Sequence, residues 1–214
     1  MAKEGYPIVG IFLLFAAAFG LAWIVAGSVI WTLLCIVSGI LTLFSFYFFR
    51  DPERDIPQDP GKIISPADGR IVAIHPVRDE FVGDEAIRIS IFLNIFNVHV
   101  NRVPCTGNVV DSRYKPGKFL AAFDERTSEV NEQTIIDLEN QRFKVRMKQI
   151  AGLIARRIVN YLKPGEKVIM GQRFGLIKFG SRVDVVVPAK TVIQVELKEK
   201  VIGGETVLGE WHEL

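Results

Sequence analysis

The longest apolar stretch of the chain, residues 8–49, contains no Asp, Glu, Lys, Arg or His. A single helix over this stretch would be about twice as long as the ~30 Å hydrocarbon core of a bilayer is thick. The pattern therefore predicts a membrane hairpin, residues 1–49, of two transmembrane helices with a turn at Ala26-Gly27-Ser28. One long tilted span and a re-entrant hairpin are the alternatives, whereas a cleaved signal peptide has a much shorter apolar segment.

Basic residues flank this hairpin on both sides. Lys3 precedes it, and Arg50, Arg54 and Lys62 follow it. Because basic flanks stay in the cytoplasm, both ends are expected on the cytoplasmic side of the cell membrane. Residues 50–61 are polar and proline-rich, so they are predicted to form a linker to a cytoplasmic domain, residues 62–214.

The pattern changes after residue 62 to short β-branched runs separated by turn dipeptides such as Asp68-Gly69 and Pro164-Gly165. The predicted strands cover 63–64, 69–74, 86–93, 98–100, 107–110, 142–147, 167–170, 176–179, 183–187 and 191–197. Apolar residues at helical spacing predict a helix over 150–162 and a weaker one over 129–138. The fold class predicted is mainly β (α+β), a barrel-sandwich-like β domain with one or two short helices.

A short repeat supports a symmetric arrangement of these strands. The segment EKVIMG, which begins at Glu166, recurs as EKVIGG from Glu199. Such strand turns are similar to those of lipoyl- and biotinyl-type barrel-sandwich domains. They imply two quasi-symmetric β-halves, with Gly180-Ser181 at a hairpin between them.

Composition narrows the function classes. The high hydrophobic content, 49%, is concentrated in the membrane hairpin, and a net charge of +2 gives no sign of a nucleic-acid-binding surface. The two cysteines, Cys35 and Cys105, have neither disulfide-framework nor metal-ligand spacing. We therefore expect two free thiols in a reducing compartment and no metal site.

The candidate chemistry centres on Gly180-Ser181. Most Gly-Ser pairs are simple turns, but a serine after a conformationally free glycine can turn its hydroxyl towards the glycine carbonyl, the geometry of self-cleavage. His99 is the candidate general base, although a hydrogen-bonded core histidine is the plainer interpretation. His75 and His212 are expected at the surface. Asp68 in the Asp68-Gly69 turn could orient the imidazole of His99, which would make the three residues a triad in role.

Several motifs together resemble the short-form phosphatidylserine decarboxylase family. They are Ser65-Pro66-Ala67-Asp68-Gly69, the segment around His99, Lys115-Pro116-Gly117-Lys118-Phe119, Asn131-Glu132, residues 150–157, and Phe174-Gly175 through Phe179-Gly180-Ser181-Arg182-Val183-Asp184. The resemblance implies a proenzyme that cuts itself between Gly180 and Ser181 and converts Ser181 into a covalent pyruvoyl group. No diffusible cofactor is then needed.

The same resemblance implies that phosphatidylserine in the membrane is decarboxylated to phosphatidylethanolamine in phospholipid biosynthesis. The active form would be a heterodimer of fragments 1–180 and 181–214, with further oligomerisation left open. Two positions depart from the family pattern: Phe96 replaces a second histidine of longer bacterial members, and Gln133 replaces an arginine. The candidate ligands of the lipid phosphate are Arg113, Lys115, Lys118 and Lys178, for which a solvated basic face is the alternative.

Two other functions stay open at this point. The same chemistry could act on the serine headgroup of an ether lipid, archaetidylserine. Alternatively, the repeat and a lysine close to the Gly180-Ser181 junction, Lys178, would suit a membrane-anchored lipoyl- or biotinyl-like carrier.

Overall fold

A computed structural model describes residues 1–121, 126–153, 157–178 and 180–212 of the chain. The chain divides into two compact units, Met1–Pro52 and Glu53–Leu214. The first unit is helical, and the second is built almost entirely of strands.

The first unit is a helical hairpin. A short 3-10 helix, Lys3–Gly5, leads into α1, Tyr6–Ala26, and α2 follows at Val29–Phe48. Gly27 ends α1 with a left-handed φ of 60°, and the Ser28 side chain caps α2. Both helices are long and apolar enough to cross a membrane. The two-helix hairpin and its turn are therefore confirmed.

The two ends of this hairpin lie together, since the Ala2 amide donates a hydrogen bond to the Phe49 carbonyl at 2.8 Å. Most of the apolar side chains of α1 and α2 are exposed, including Leu14 and Ile24. Such surfaces are stable in hydrocarbon rather than in water, which suits membrane association.

Within the described residues, the second unit contains fourteen strands and one short helix. The strands are β1 (Lys62–Ile64), β2 (Gly69–Asp79), β3 (Gly83–Leu93), β4 (Val100–Arg102), β5 (Gly107–Lys115), β6 (Gln133–Glu139), β7 (Lys144–Ala151), β8 (Ile158–Asn160), β9 (Lys167–Val168), β10 (Arg173–Ile177), β11 (Ser181–Pro188), β12 (Thr191–Ile193), β13 (Lys200–Val201) and β14 (Val207–Trp211). The helix α3 is Thr127–Val130. The prediction of a mainly β domain after a helical hairpin is confirmed.

These strands form three antiparallel sheets. An 8-stranded sheet has the order β13-β2-β3-β11-β7-β6-β5-β9, and two 3-stranded sheets have the orders β1-β14-β12 and β4-β10-β8. All three sheets contribute to one core, in which Val183 and Val185 of β11 pack with Leu208 of β14 and Phe174 of β10. β11 is thus an interior strand of the large sheet, with one face on this core.

The sequence repeat maps onto the two edges of the large sheet. β9 and β13, one from each copy, pair with β5 and β2 respectively. The contacts are equivalent: the Val109 amide donates to the Glu166 carbonyl at 2.8 Å, and the Ile71 amide donates to the Glu199 carbonyl at 2.9 Å. The predicted quasi-symmetric halves are therefore confirmed, and they meet between β11 and β7.

Three sequence predictions need correction. The helix predicted over 150–162 is wrong, because residue 150 lies in β7 and residues 158–160 form β8; residues 154–156 fall outside the described residues. The second predicted helix, 129–138, is wrong over most of its length, because only residues 129–130 belong to α3 and residues 133–138 lie in β6. Gly180-Ser181 is not at a hairpin tip, because β10 and β11 belong to different sheets.

The predicted linker, residues 50–61, has contacts within the second unit from Glu53 onwards. Arg173 forms an ion pair with Glu53, at 2.8 Å. A Cβ built on Gly171 would lie only 2.5 Å from Ile56. This segment is therefore packed on the β domain along part of its length.

Candidate active site

The beginning of β11 is where the chain passes from one sheet into another. β3 and β7 run antiparallel to β11, so both strands end where β11 begins. Ser181 pairs with Leu93 of β3 on one side and with Ala151 of β7 on the other. The first residue of β11 is consequently held by backbone pairing on both sides.

The Ser181 side chain lies on the core face of the large sheet. Side chains alternate along a strand, so Ser181 shares its face with the core residues Val183 and Val185. Ser181 is completely buried, and its Oγ has no hydrogen-bond partner among the described residues. An unsatisfied buried hydroxyl is costly, so its presence here calls for a chemical explanation.

Gly180 has the backbone conformation that the sequence suggested. Its φ is 54°, in the left-handed region that favours glycine. No described atom lies within 4 Å of a Cβ built on Gly180, so backbone conformation rather than space is the constraint there. Phe179, before it in the motif, lies outside the described residues.

His99 directly precedes β4 and is buried, with 2% exposure. Its Nδ1 lies 2.9 Å from the Asn97 carbonyl oxygen. A carbonyl only accepts hydrogen bonds, so Nδ1 carries a proton, and in the neutral form of the ring the basic lone pair lies on Nε2. The Asn97 carbonyl thus selects a tautomer suited to general-base chemistry.

A buried amide pair links the strand after His99 to the strand beside Ser181. Gln149 of β7 donates to Asn101 Oδ1 of β4 at 2.8 Å, and both side chains are fully buried. Gln149 lies two residues before Ala151, and Asn101 lies two residues after His99. β4 therefore packs against the part of β7 that leads to the Ser181 pairing.

Asp68 lies in the connection between β1 and β2. Both of its carboxylate oxygens lie 3.0 Å from Arg54 Nη2, and Oδ1 also accepts a hydrogen bond from the Gly203 amide at 2.8 Å. Arg54 was not predicted as a site residue. The role suggested for Asp68, orienting His99, stays a prediction.

The opposite face of β11 is strongly polar. Arg182 and Asp184 are completely buried and form an ion pair, with Nε 2.6 Å from Oδ1. Arg182 Nη2 donates to Ser90 Oγ of β3 at 2.6 Å, and Ser128 Oγ of α3 donates to Asp184 Oδ2. Each charged group on this face is thereby neutralised.

The predicted phosphate ligands have different surroundings. Arg113 is ion-paired with both Asp111 and Asp137, and these carboxylates hold the pKa of its guanidinium above the usual range against the effect of burial. Lys115 is exposed at the end of β5 that lies on the Ser181 side of the sheet. Since three strand spacings of about 4.8 Å separate β5 from β11, Lys115 is roughly 14 Å from Ser181.

The remaining two candidates lie on connections. Lys118 is exposed, and its amide and carbonyl bond to Val130 and Glu132. Lys178 lies between β10 and Gly180, with its amide 3.1 Å from the Arg157 carbonyl. Lys178 is thus the candidate nearest in sequence to Ser181, and phosphate binding by these four residues stays a prediction.

Two apolar side chains are exposed on the connections around the same end of the sheet. Phe96, after β3, is 60% exposed, and Leu153, after β7, is 64% exposed. Both follow strands whose last residues pair with Ser181. This end of the sheet therefore presents exposed apolar side chains on two of its connections.

The other candidate groups are accounted for. His75 and His212 are exposed, as expected. Both cysteines are free thiols, which confirms that expectation, and burial raises the pKa of Cys105 to about 12. Cys105 is therefore protonated and poorly nucleophilic at neutral pH.

Sequence reasoning missed several polar residues of this region, namely Arg54, Ser90, Asn101, Ser128 and Gln149. Asn131 was noticed only as part of a motif; its buried amide donates to the Ala151 carbonyl at 2.8 Å and so supports the partner of Ser181. Polar residues inside otherwise apolar strands were the available signal, because such residues are buried only when paired.

Comparison with known proteins identifies the family of the chain. The family model described as Phosphatidylserine decarboxylase matches residues 41–209. The phosphatidylserine decarboxylase proenzyme of Geobacter metallireducens is 45% identical over 212 residues, covering 98% of this chain and 95% of the relative. The proenzyme of Chlorobium chlorochromatii is 51% identical over 172 residues, covering 80% and 81% of the two chains.

The matched region includes β10, the Gly180-Ser181 junction and β11, which together carry the buried serine and the polar face behind it. The match extends over more than half of the chain, and the first of these relatives is similar to it over nearly its whole length. The chain belongs to the phosphatidylserine decarboxylase family.

Proposed function

We propose that this protein cuts its own chain between Gly180 and Ser181 and then decarboxylates phosphatidylserine to phosphatidylethanolamine. The observation that carries the proposal is the Ser181 hydroxyl, which is buried without a hydrogen-bond partner among the described residues. It follows a glycine in the left-handed conformation. Leaving a buried hydroxyl unsatisfied costs about 1–3 kcal/mol, a cost that a reactive role for Ser181 would explain.

The cut begins with attack of Ser181 Oγ on the Gly180 carbonyl carbon. His99 Nε2 accepts the hydroxyl proton, and the Gly180–Ser181 amide becomes an ester as the nitrogen gains a proton. Elimination across Cα and Cβ of residue 181 then releases the Gly180 carboxylate. Hydrolysis of the resulting enamine with loss of ammonia leaves a pyruvoyl group on fragment 181–214.

The residues around Ser181 fit such a group. Position 181 is the first residue of β11, is completely buried and pairs with the apolar residues Leu93 and Ala151, so water has little access to it. The pyruvoyl carbonyl supplies an electron sink for the loss of carbon dioxide from an amino acid headgroup. In this proposal His99 would hold or deliver the proton needed after that loss.

The two fragments would remain together after the cut. Fragment 181–214 supplies β11, β12, β13 and β14, and β11 pairs with β3 and β7 of fragment 1–180. Interior strands of a sheet exchange hydrogen bonds on both sides, so separation would expose two strand edges. We therefore propose a heterodimer of the two fragments as the active form.

The substrate is a lipid, and the helical hairpin suits a membrane location for the enzyme. We propose that α1 and α2 cross the cell membrane and leave the β domain on the cytoplasmic side, where basic flanks remain. Phe96 and Leu153 would contact the bilayer surface, and Lys178 or Lys118 would bind the lipid phosphate. Contacts to the headgroup do not distinguish ester-linked from ether-linked tails, so archaetidylserine is a second substrate to assay.

Intact-mass measurement of the purified wild-type protein tests the proposal. We expect fragments 1–180 and 181–214, the smaller with a pyruvoyl N-terminus that blocks Edman sequencing. The Ser181→Ala chain should remain uncut and should not release carbon dioxide from phosphatidylserine. A full-length wild-type chain that decarboxylates, or a free serine amine at residue 181, would contradict the mechanism. A full-length chain carrying a modification on Lys178 would instead support a carrier.

A further inference from the structure

The polar face of β11 forms a set of side-chain contacts directly after Ser181. Arg182 donates from Nη2 to Ser90 Oγ at 2.6 Å and from Nη1 to Thr127 Oγ1 at 3.5 Å. Asp184 accepts from Ser128 Oγ. All five side chains are almost completely buried.

Each of these contacts crosses the proposed cut. Ser90, Thr127 and Ser128 belong to fragment 1–180, whereas Arg182 and Asp184 belong to fragment 181–214. In the uncut chain the peptide bond to Gly180 also restrains residue 181. After the cut that restraint is lost, and a chain terminus tends to fray unless other contacts hold it.

We propose that Arg182 and Asp184, held by Ser90 and Ser128, act as a cross-fragment clamp that positions residue 181 in the mature enzyme. The proposal rests on the self-cleavage proposed above. Arg182 is a positioning residue here, because its side chain points to the face of β11 away from the site. Arg182 is one residue from the new terminus. Because its guanidinium is held in place, the direction in which residue 181 leaves the strand is restrained.

The geometry favours this role over a purely structural one. An apolar pair at these positions would stabilise the sheet as well as a buried ion pair does. The directional hydrogen bonds instead fix β11 relative to both β3 and α3. A second buried ion pair, Arg146 with Asp137, lies wholly inside fragment 1–180, as does the further contact of Arg146 with Asp79 of β2.

The test removes the hydroxyls of the clamp and leaves its charges in place. Ser90→Ala, Ser128→Ala and the double variant are made in the cleavable chain and in the uncuttable Ser181→Ala chain. Ser112→Ala is the matched control, because Asn160 Nδ2 donates to Ser112 Oγ at 2.7 Å inside fragment 1–180. The measurements are kcat and KM on phosphatidylserine in mixed micelles, and the urea midpoint for loss of fragment 181–214 or for unfolding.

In the cut enzyme the double variant should have a kcat about tenfold lower than the wild type and a KM within twofold of it. The reason is that a small displacement of a reacting group lowers the rate of reaction rather than the affinity for substrate. Its urea midpoint should fall further in the cut enzyme than in the Ser181→Ala chain. Ser112→Ala should shift both midpoints equally and leave kcat unchanged. Ser90→Thr keeps a hydroxyl and should restore kcat, which separates loss of the contact from general disruption.

Equal midpoint shifts in both chains with an unchanged kcat would overturn the clamp and leave the self-cleavage intact. If the double variant does not fold, the single Ser128→Ala variant gives the same comparison. A wild-type chain that remains uncut would overturn the proposed function and the clamp with it, and the mass of the wild type distinguishes this result.

Discussion

The two faces of β11 treat buried polar groups in opposite ways. On one face Ser181 lies among apolar residues, and its hydroxyl has no partner in the described part of the chain. On the other face the charges of Arg182 and Asp184 are matched to each other and to neighbouring hydroxyls. The paired face stabilises the strand, whereas the Ser181 hydroxyl is the group for which we propose a reactive role.

This difference gives a criterion for separating structural from reactive polar residues. When a fully paired buried group is altered, the protein loses stability, because the partner of that group stays buried without its hydrogen bond or counter-charge. When an unpaired buried group is removed, the protein loses little stability, but any reaction that depends on that group is lost. Changes on the two faces of β11 should therefore affect different measurements.

The largest expected effect is the effect of His99→Ala on the proposed cut. Loss of a general base slows a reaction typically ~10²- to 10⁴-fold, so maturation should become slow compared with expression. The cut fraction is followed by intact mass over time. His75→Ala, an exposed histidine on β2, is the control and should mature normally.

Asp68→Asn should slow maturation less than His99→Ala, because the Asn97 carbonyl already accepts the hydrogen bond at His99 Nδ1. Normal maturation of the His99→Ala chain would show that another group takes the proton of Ser181.

On the paired face, Arg182→Met should lower the free energy of unfolding by about 3–5 kcal/mol, because it leaves the Asp184 carboxylate buried without its cation. The measurement is urea unfolding in detergent, made in the Ser181→Ala chain so that cleavage does not intervene. Adding Asp184→Leu should recover much of the loss. If the Arg182→Met variant is as stable as the Ser181→Ala chain, the ion pair does not contribute to the stability of the protein.

Gly180→Ala tests the junction between the two sheets. An alanine at φ 54° is strained by about 1–2 kcal/mol, although no described atom lies within 4 Å of the added Cβ. Gly165→Ala is the matched control, because Gly165 has a φ of 87° and no described atom lies within 4 Å of a Cβ built on it. Both variants should lose similar stability, but only Gly180→Ala should slow the cut. If the Gly180→Ala and Gly165→Ala chains are cut at the same rate, the left-handed conformation of Gly180 is not needed for the cut.

Two serines on opposite faces of the large sheet give a sharper comparison. In the uncut His99→Ala chain, Ser181→Ala should change the free energy of unfolding by less than about 1 kcal/mol, whereas Ser90→Ala should reduce it by about 1.5–3 kcal/mol through the lost bond to Arg182. Urea midpoints provide both values. A larger loss for Ser181→Ala would mean that its hydroxyl is structurally paired after all.

The smallest effect concerns Lys148, which pairs in register with Asp184 on the polar side of β7. Burial lowers the pKa of Lys148, and the nearby carboxylates of Asp184 and Asp79 oppose this only in part. The unfolded chain then binds the proton more tightly, so this residue's contribution to stability should rise with pH towards about 10.4. Lys148→Met should remove that rise, which thermal unfolding between pH 7 and 10 would detect.

The sequence was sufficient wherever the signal is local. Residues 8–49 lack charges, so they predicted the hairpin, and the Gly27-Ser28 turn follows from the preferences of these residues at helix ends. The repeated segments at Glu166 and Glu199 predicted two related halves. The Phe-Gly-Ser-Arg-Val-Asp motif pointed to Ser181 because several residue types occur there in a specific order.

Tertiary structure alone decided the rest. The apolar spacing of residues 150–162 suits a helix, but pairing of β7 with β6 and β11 made part of this segment a strand, since burial against neighbours outweighs local propensity. Nothing local connects Arg182 to Ser90 or Asp184 to Ser128. These contacts join residues far apart along the chain, and they exist only because folding places β3 and α3 beside β11.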